Sequence, residues 1–278
     1  MSQQYSPQGF RMLPTGVKHL LILNILFYIA ANVIRTSTRI DLDEYLALFF
    51  IGSDFFRPWQ YITYMFMHGS IEHIFFNMFA LWMFGYILEN IWGTRRFLIF
   101  YLLCGIGAGL FHTGVTWITS APVLADINAY AADPSPDAFL QLCNEHFDKI
   151  LNHKWVNEIF DAWTANPYSN NYGLYTTEQL MEVYNTRIIG VPTVGASGAI
   201  YGILLAFGMM FPEERIYLYF LFPIKAKWFV MGYAAIELIT GIIGTNDGIA
   251  HFAHLGGMLV GLIIILIWRK KAGTGRFV

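Results

Sequence analysis

VGASGAIYG, residues 194–202, opens a hydrophobic run with small residues and sets a hydroxyl, Ser197, among them. Gly weakens a helix by about 1 kcal/mol relative to Ala, and a buried hydroxyl needs a hydrogen-bond partner. A helix that only fills space needs neither. The chain around this run is 56% hydrophobic and only 13% charged. A soluble domain carries about twice that charge fraction. The apolar residues come in blocks rather than at amphipathic spacing, so the chain reads as an all-α, polytopic membrane protein.

A span needs about 20 mostly apolar residues. Six segments qualify, roughly 18–34, 72–91, 95–119, 195–212, 226–243 and 250–268. Residues 1–17 then form an N-terminal tail, 18–119 the first three spans with an outer loop, 188–268 the last three, and 269–278 a C-terminal tail. The stretch IYLYFLFPIK, 216–225, is apolar but broken by Pro223 and Lys225, and reads as an interfacial connection. With both termini in the cytoplasm, eleven Lys and Arg fall on inner pieces and six on outer ones, as the positive-inside rule requires. The N-terminus lacks the apolar core and cleavage site of a signal peptide and the Arg/Ser bias of a transit peptide. The expected location is the inner membrane of a bacterial cell. No basic stripe with interleaved aromatics points to nucleic acid.

Residues 120–187 are different. They hold nine Asp or Glu against three Lys or Arg, so they are aqueous and, by the same topology, extracytoplasmic. Phe139, Leu142, Cys143, Phe147, Ile150 and Leu151 recur at helical spacing, as do Trp155, Ile159, Phe160 and Trp163. Thr176 with Gln179 fits a capping box ahead of a third short helix. The segment reads as a small helical insertion whose stripes are available to a substrate or partner. Cys104 and Cys143 lie in unlike surroundings, without metal-ligand spacing, and are read as structural.

Polar residues converge at one depth in the bundle. Ser197 stands at the outer start of the fourth span, His254 one turn into the sixth, and His73 and Asn77 at the outer start of the second. Ionisable groups inside a membrane are costly and point to function by default. Gly198 with Gly202, and Gly257 with Gly261, form two small-residue rows that let helices approach closely. Gly257 follows His254 by three residues, so that approach would bring imidazole to hydroxyl and make Ser197 a nucleophile. Tyr201, one turn after Ser197, can stack on His254. His73 and Asn77 share a face and can donate to a developing oxyanion, as can the backbone N–H at Ser197. No carboxylate is placed by sequence to orient the histidine, so the expected unit is a dyad.

HxxxN at 73–77, GASG at 195–198, AHxxGxxxG at 253–261 and ExxxGxxxF at Glu89, Gly93 and Phe97 resemble the rhomboid family of intramembrane serine proteases. Their order and topology match across nearly the whole chain outside 120–187. The resemblance implies a six-helix bundle, Ser197 as nucleophile and His254 as general base and acid. It also implies an oxyanion hole of His73, Asn77 and the Ser197 amide, with Gly195, Gly198, Gly257 and Tyr201 in support. Substrates would be transmembrane helices in the lipid bilayer, cut near their outer ends, with no metal or other cofactor. The family's Trp-Arg pair is Trp59-Gln60 here, and its short connection before the serine loop is 68 residues.

Other readings stand beside this one. A catalytically silent scaffold of the same fold would bind helices without cutting them, although such relatives usually lose the serine or histidine. A transporter would show repeated halves or broken helices, and neither is visible. His68 is expected to organise its loop through hydrogen bonds, and His251 to be a loop histidine. His19 and His112 are read as structural. Glu237, inside the fifth span, faces the helix interior or a water-filled cleft and is assigned no catalytic role.

Overall fold

The computed structural model describes residues 11–166, 171–218, 222–244 and 249–272. The helices are α1 (Thr15–Thr38), α2 (Asp43–Leu46), α3 (Gln60–Thr63), α4 (Ile71–Trp92), α5 (Thr94–Ala132), α6 (Pro136–Leu142) and α7 (His153–Ala165). They continue as α8 (Asn171–Val183), α9 (Ser197–Met210), α10 (Ala226–Ile243) and α11 (His251–Ala272). Five helices, α1, α4, α5, α10 and α11, are long and apolar enough to cross a membrane. Large apolar side chains such as Leu26, Ile29, Phe75, Phe76 and Ile242 are exposed on them. Soluble surfaces rarely carry contiguous apolar area on that scale, and hydrocarbon accommodates it.

The chain divides into two units. The first comprises residues 1–48, 57–112 and 193–278, the second residues 49–56 and 113–192. Parts of the two expected tails, 1–10 and 273–278, lie outside the described residues.

In the first unit α9 is the buried element, with Gly198, Ala199, Ile200, Gly202, Ile203, Leu204, Ala206, Phe207 and Gly208 all inside. A helix apolar on every side belongs in a core. It runs 14 residues, shorter than the span expected over 195–212. Extended chain holds it back at the start, where Leu48 and Thr193 exchange backbone hydrogen bonds of 2.9 and 2.8 Å and Gly195 N–H donates to Tyr64 O at 2.9 Å. At its end Phe211 leaves helical dihedrals just before Pro212.

Glu89 explains one motif. Its buried carboxylate accepts from the N–H groups of Gly16 and Val17, each at 2.7 Å, and from the Thr94 hydroxyl at 2.6 Å. It thereby satisfies two of the free donors at the start of α1. The helix carrying Glu89 stops at Gly93, whose φ of 77° suits Gly, and α5 begins at the next residue.

The connection over 216–225 is more regular than expected. Strands β1 (Arg215–Leu218) and β2 (Phe222–Lys225) pair antiparallel, with Arg215 opposite Lys225. Glu213 bridges Lys225 at 2.7 Å and also Lys227, offsetting the like charges there. The intervening residues 219–221 lie outside the described residues.

In the second unit the third expected span does not stop at residue 119. Its helix continues to Ala132 through an internal Pro122, and Val123, Ile127 and Tyr130 enter a local core. Ser135 caps α6 ahead of Pro136, and Asn152 caps α7. Phe139, Leu142, Cys143, Phe147 and Trp163 are buried together with Leu180 and Tyr184. Ile150, read as part of the stripe, is 42% exposed. The capping box at Thr176 is a misreading. Thr176 lies inside α8, bonds back to Tyr172 O at 2.8 Å and pairs with the Tyr130 hydroxyl. That buried partner gives the hydroxyl a tertiary role in mid-helix.

Candidate active site

Ser197 is the first residue of α9 and His254 lies in the first turn of α11. Their side chains meet, with Ser197 Oγ 2.8 Å from His254 Nε2. The approach depends on glycine. A Cβ on Gly257 would sit 1.8 Å from Gly198 O, and one on Gly261 would sit 3.2 Å from Gly202 Cα. Both small-residue rows therefore face one another along the α9–α11 contact. Tyr201 stacks flat on the His254 ring, with centroids 4.2 Å apart and planes 6° from parallel.

The other face of the site comes from α4. Ser70 caps this helix by accepting from His73 N–H at 3.1 Å, which places His73 in the first turn. Gly195 has a φ of 124°, and a Cβ there would lie 2.8 Å from His73 Nε2 and 3.5 Å from Ser197 Oγ. Gly at 195 thus leaves room beside both groups. Asn77, one turn on from His73, is buried, and its Nδ2 has no hydrogen-bond partner among the described residues. Buried amides are rarely left so. His68 is buried against His73 at a ring separation of 5.1 Å. Neither of its ring nitrogens makes an aligned hydrogen bond among the described residues.

Two residues were missed by sequence reasoning. Glu237 of α10 and His251 of α11 are both buried beside His254. Glu237 Oε2 is 2.7 Å from His251 Nδ1 and 3.0 Å from His254 Nδ1, and Oε1 accepts from the Tyr201 hydroxyl. The His251 contact is aligned as a hydrogen bond. The His254 contact has the distance but not the alignment. His251 also lies 3.1 Å from Thr240 Oγ1 and is a helix residue, not the loop histidine expected. The available signal was Glu237 itself, an ionisable residue in an apolar span. Glu237, His251 and His254 are also the group whose ligand atoms, all within 4.8 Å of one another, come nearest to a metal site among the described residues.

The site is thus a serine hydroxyl in contact with an imidazole, held in a bundle of helices long and apolar enough to cross a membrane. The rhomboid-domain model matches residues 56–123 and 166–271, and the chain belongs to the rhomboid family. It is similar to rhomboid protease AarA of Providencia stuartii, 26% identical over 258 residues that cover 90% of this chain and 70% of that protein. It is also similar to rhomboid protein 1, mitochondrial, of Saccharomyces cerevisiae, 24% identical over 71% of this chain and 38% of that protein. A shorter match of 90 residues, 30% identical, relates it to rhomboid protease GlpG of Salmonella choleraesuis, covering 32% of each. The chain is therefore a multi-pass membrane protein of a family that includes proteases.

Proposed function

We propose that this chain is an intramembrane serine endopeptidase that hydrolyses peptide bonds in or beside transmembrane helices of membrane-protein substrates. The observation that carries this reading is the 2.8 Å contact between Ser197 Oγ and His254 Nε2. In the proposed reaction His254 Nε2 takes the hydroxyl proton as Ser197 Oγ bonds to the scissile carbonyl carbon. The tetrahedral oxyanion is met by the His73 ring N–H, the Asn77 amide and the backbone N–H of Ser197. As the C–N bond breaks, His254 returns the proton to the leaving amine and an acyl-enzyme remains. Water, deprotonated by His254, then releases the acid and restores the hydroxyl.

The Lys and Arg distribution supports cytoplasmic termini and a site open to the extracytoplasmic side. For the membrane itself we propose the bacterial inner membrane. The insertion over 120–187 is proposed to select substrates.

The decisive experiment is labelling with a fluorophosphonate together with cleavage of a transmembrane substrate whose helix is loosened by small residues. Labelling and cleavage by the parent, both lost in Ser197→Ala at unchanged Tm, are the expected result. A folded parent that neither labels nor cleaves is a scaffold and ends the protease reading.

A further inference from the structure

We infer that Glu237 is the positioning residue for His254, so that the reacting pair is backed by a carboxylate and works as a Ser–His–Glu row. This rests on the protease reading of Ser197 and His254.

The argument starts from cost. A carboxylate buried between helices is destabilising unless donors surround it, and no Lys or Arg pairs with Glu237 among the described residues. Its partners are Tyr201, His251 and His254; Tyr201 also lies on the face of the His254 ring, while Glu237 itself stands at that ring's Nδ1. A carboxylate 3.0 Å from Nδ1 favours, by charge, the neutral tautomer with its proton on that nitrogen, leaving Nε2 free to accept from Ser197. When Nε2 takes that proton, the ring becomes a cation 3.0 Å from Glu237 Oε2. The positive charge forms where a negative charge already stands, and the carboxylate keeps its own state throughout. The other carboxylate oxygen, Oε1, accepts from the Tyr201 hydroxyl, so ring orientation and tautomer are set by one side chain.

The test compares the parent with Glu237→Gln and Glu237→Asp, measuring kcat and KM on a model substrate, the rate of fluorophosphonate labelling, and Tm. Glu237→Gln keeps the shape but presents an amide to Nδ1. It should lower kcat and the labelling rate by about 100-fold, below the ~10⁴ loss known for such a swap because Tyr201 still holds the ring. KM should stay within about two-fold, since Glu237 does not touch substrate. Glu237→Asp should recover at least about ten-fold of the loss, because it restores the charge. Glu237→Gln with parental kcat overturns the inference, and so does a loss that the Asp variant fails to recover. If the Gln variant does not fold, Glu237→Met, an apolar side chain of similar size, decides: kcat lowered about 100-fold with KM within about two-fold supports the role, and parental kcat overturns it. Failure of the parent to label at all would instead remove the protease reading, so the two failures are distinguishable.

Discussion

Gly257 passes so close to Gly198 that a single added carbon on it would lie 1.8 Å from the Gly198 carbonyl oxygen. The two helices that carry the serine and the histidine are thus in backbone contact at the residue next to the serine and about one turn on from the histidine. No side chain can substitute there without separating them.

Gly257→Ala should therefore act on activity through distance. Relieving the clash moves α9 from α11 by more than about 1 Å, and a displacement of that size costs on the order of 100-fold in rate. Activity in membranes and Tm should fall together. Unchanged activity would mean that the Ser197–His254 contact does not depend on this approach.

Asn77→Val should separate catalysis from stability. Loss of one oxyanion donor costs about 100- to 1000-fold in kcat. The Asn77 Nδ2 has no partner among the described residues in the resting protein, so removing it relieves an unsatisfied buried group. Tm should be equal or higher while kcat falls. A variant that is less stable and still active would remove Asn77 from the oxyanion hole.

Cys143 reports on the second unit. It is buried beside Phe139 and Phe147, and that burial pushes its thiol up to about 12. It should resist iodoacetamide at pH 8 for as long as this unit stays closed. Phe139→Ala empties a fully buried site and should cost about 3–5 kcal/mol in this unit. Cys143 should then alkylate while fluorophosphonate labelling of Ser197, in the first unit, persists. Cys104, buried in the first unit, serves as the internal control.

Deleting residues 120–187 and closing the gap should alter which transmembrane substrates are cut more than the turnover of a small peptide. Competition between two substrates for parent and deletion enzymes reads this directly. Unchanged preference would make the insertion a passive appendage.

How far these features could be read in advance depended on whether the signal was local. Ser197 and His254 are each framed by small residues within one turn, so short motifs located them and the small rows implied their meeting. Asn77 followed from its four-residue spacing to His73. Glu237 did not, because its partners lie on two other helices, α9 and α11, and the register of apolar helices past one another leaves no trace in any of them. His251 was misjudged for the same reason, its carboxylate partner being fourteen residues away. Thr176 failed differently: a Thr followed by Gln carries the pattern of a cap, and only the buried Tyr130 hydroxyl shows that the residue bonds sideways. The paired strands at 215–225 were hidden by Pro223, which argues against a central strand but not against a two-stranded ribbon.

The brevity of α9 has a consequence for where a bond could be broken. Fourteen residues rise only about 21 Å, against a hydrocarbon layer of about 30 Å. On the proposed function, a nucleophile at the start of so short a rod sits beneath the membrane surface. Depth of incision is then a matter of rod length: one added turn would raise the blade by about 5.4 Å and carry it toward the headgroups.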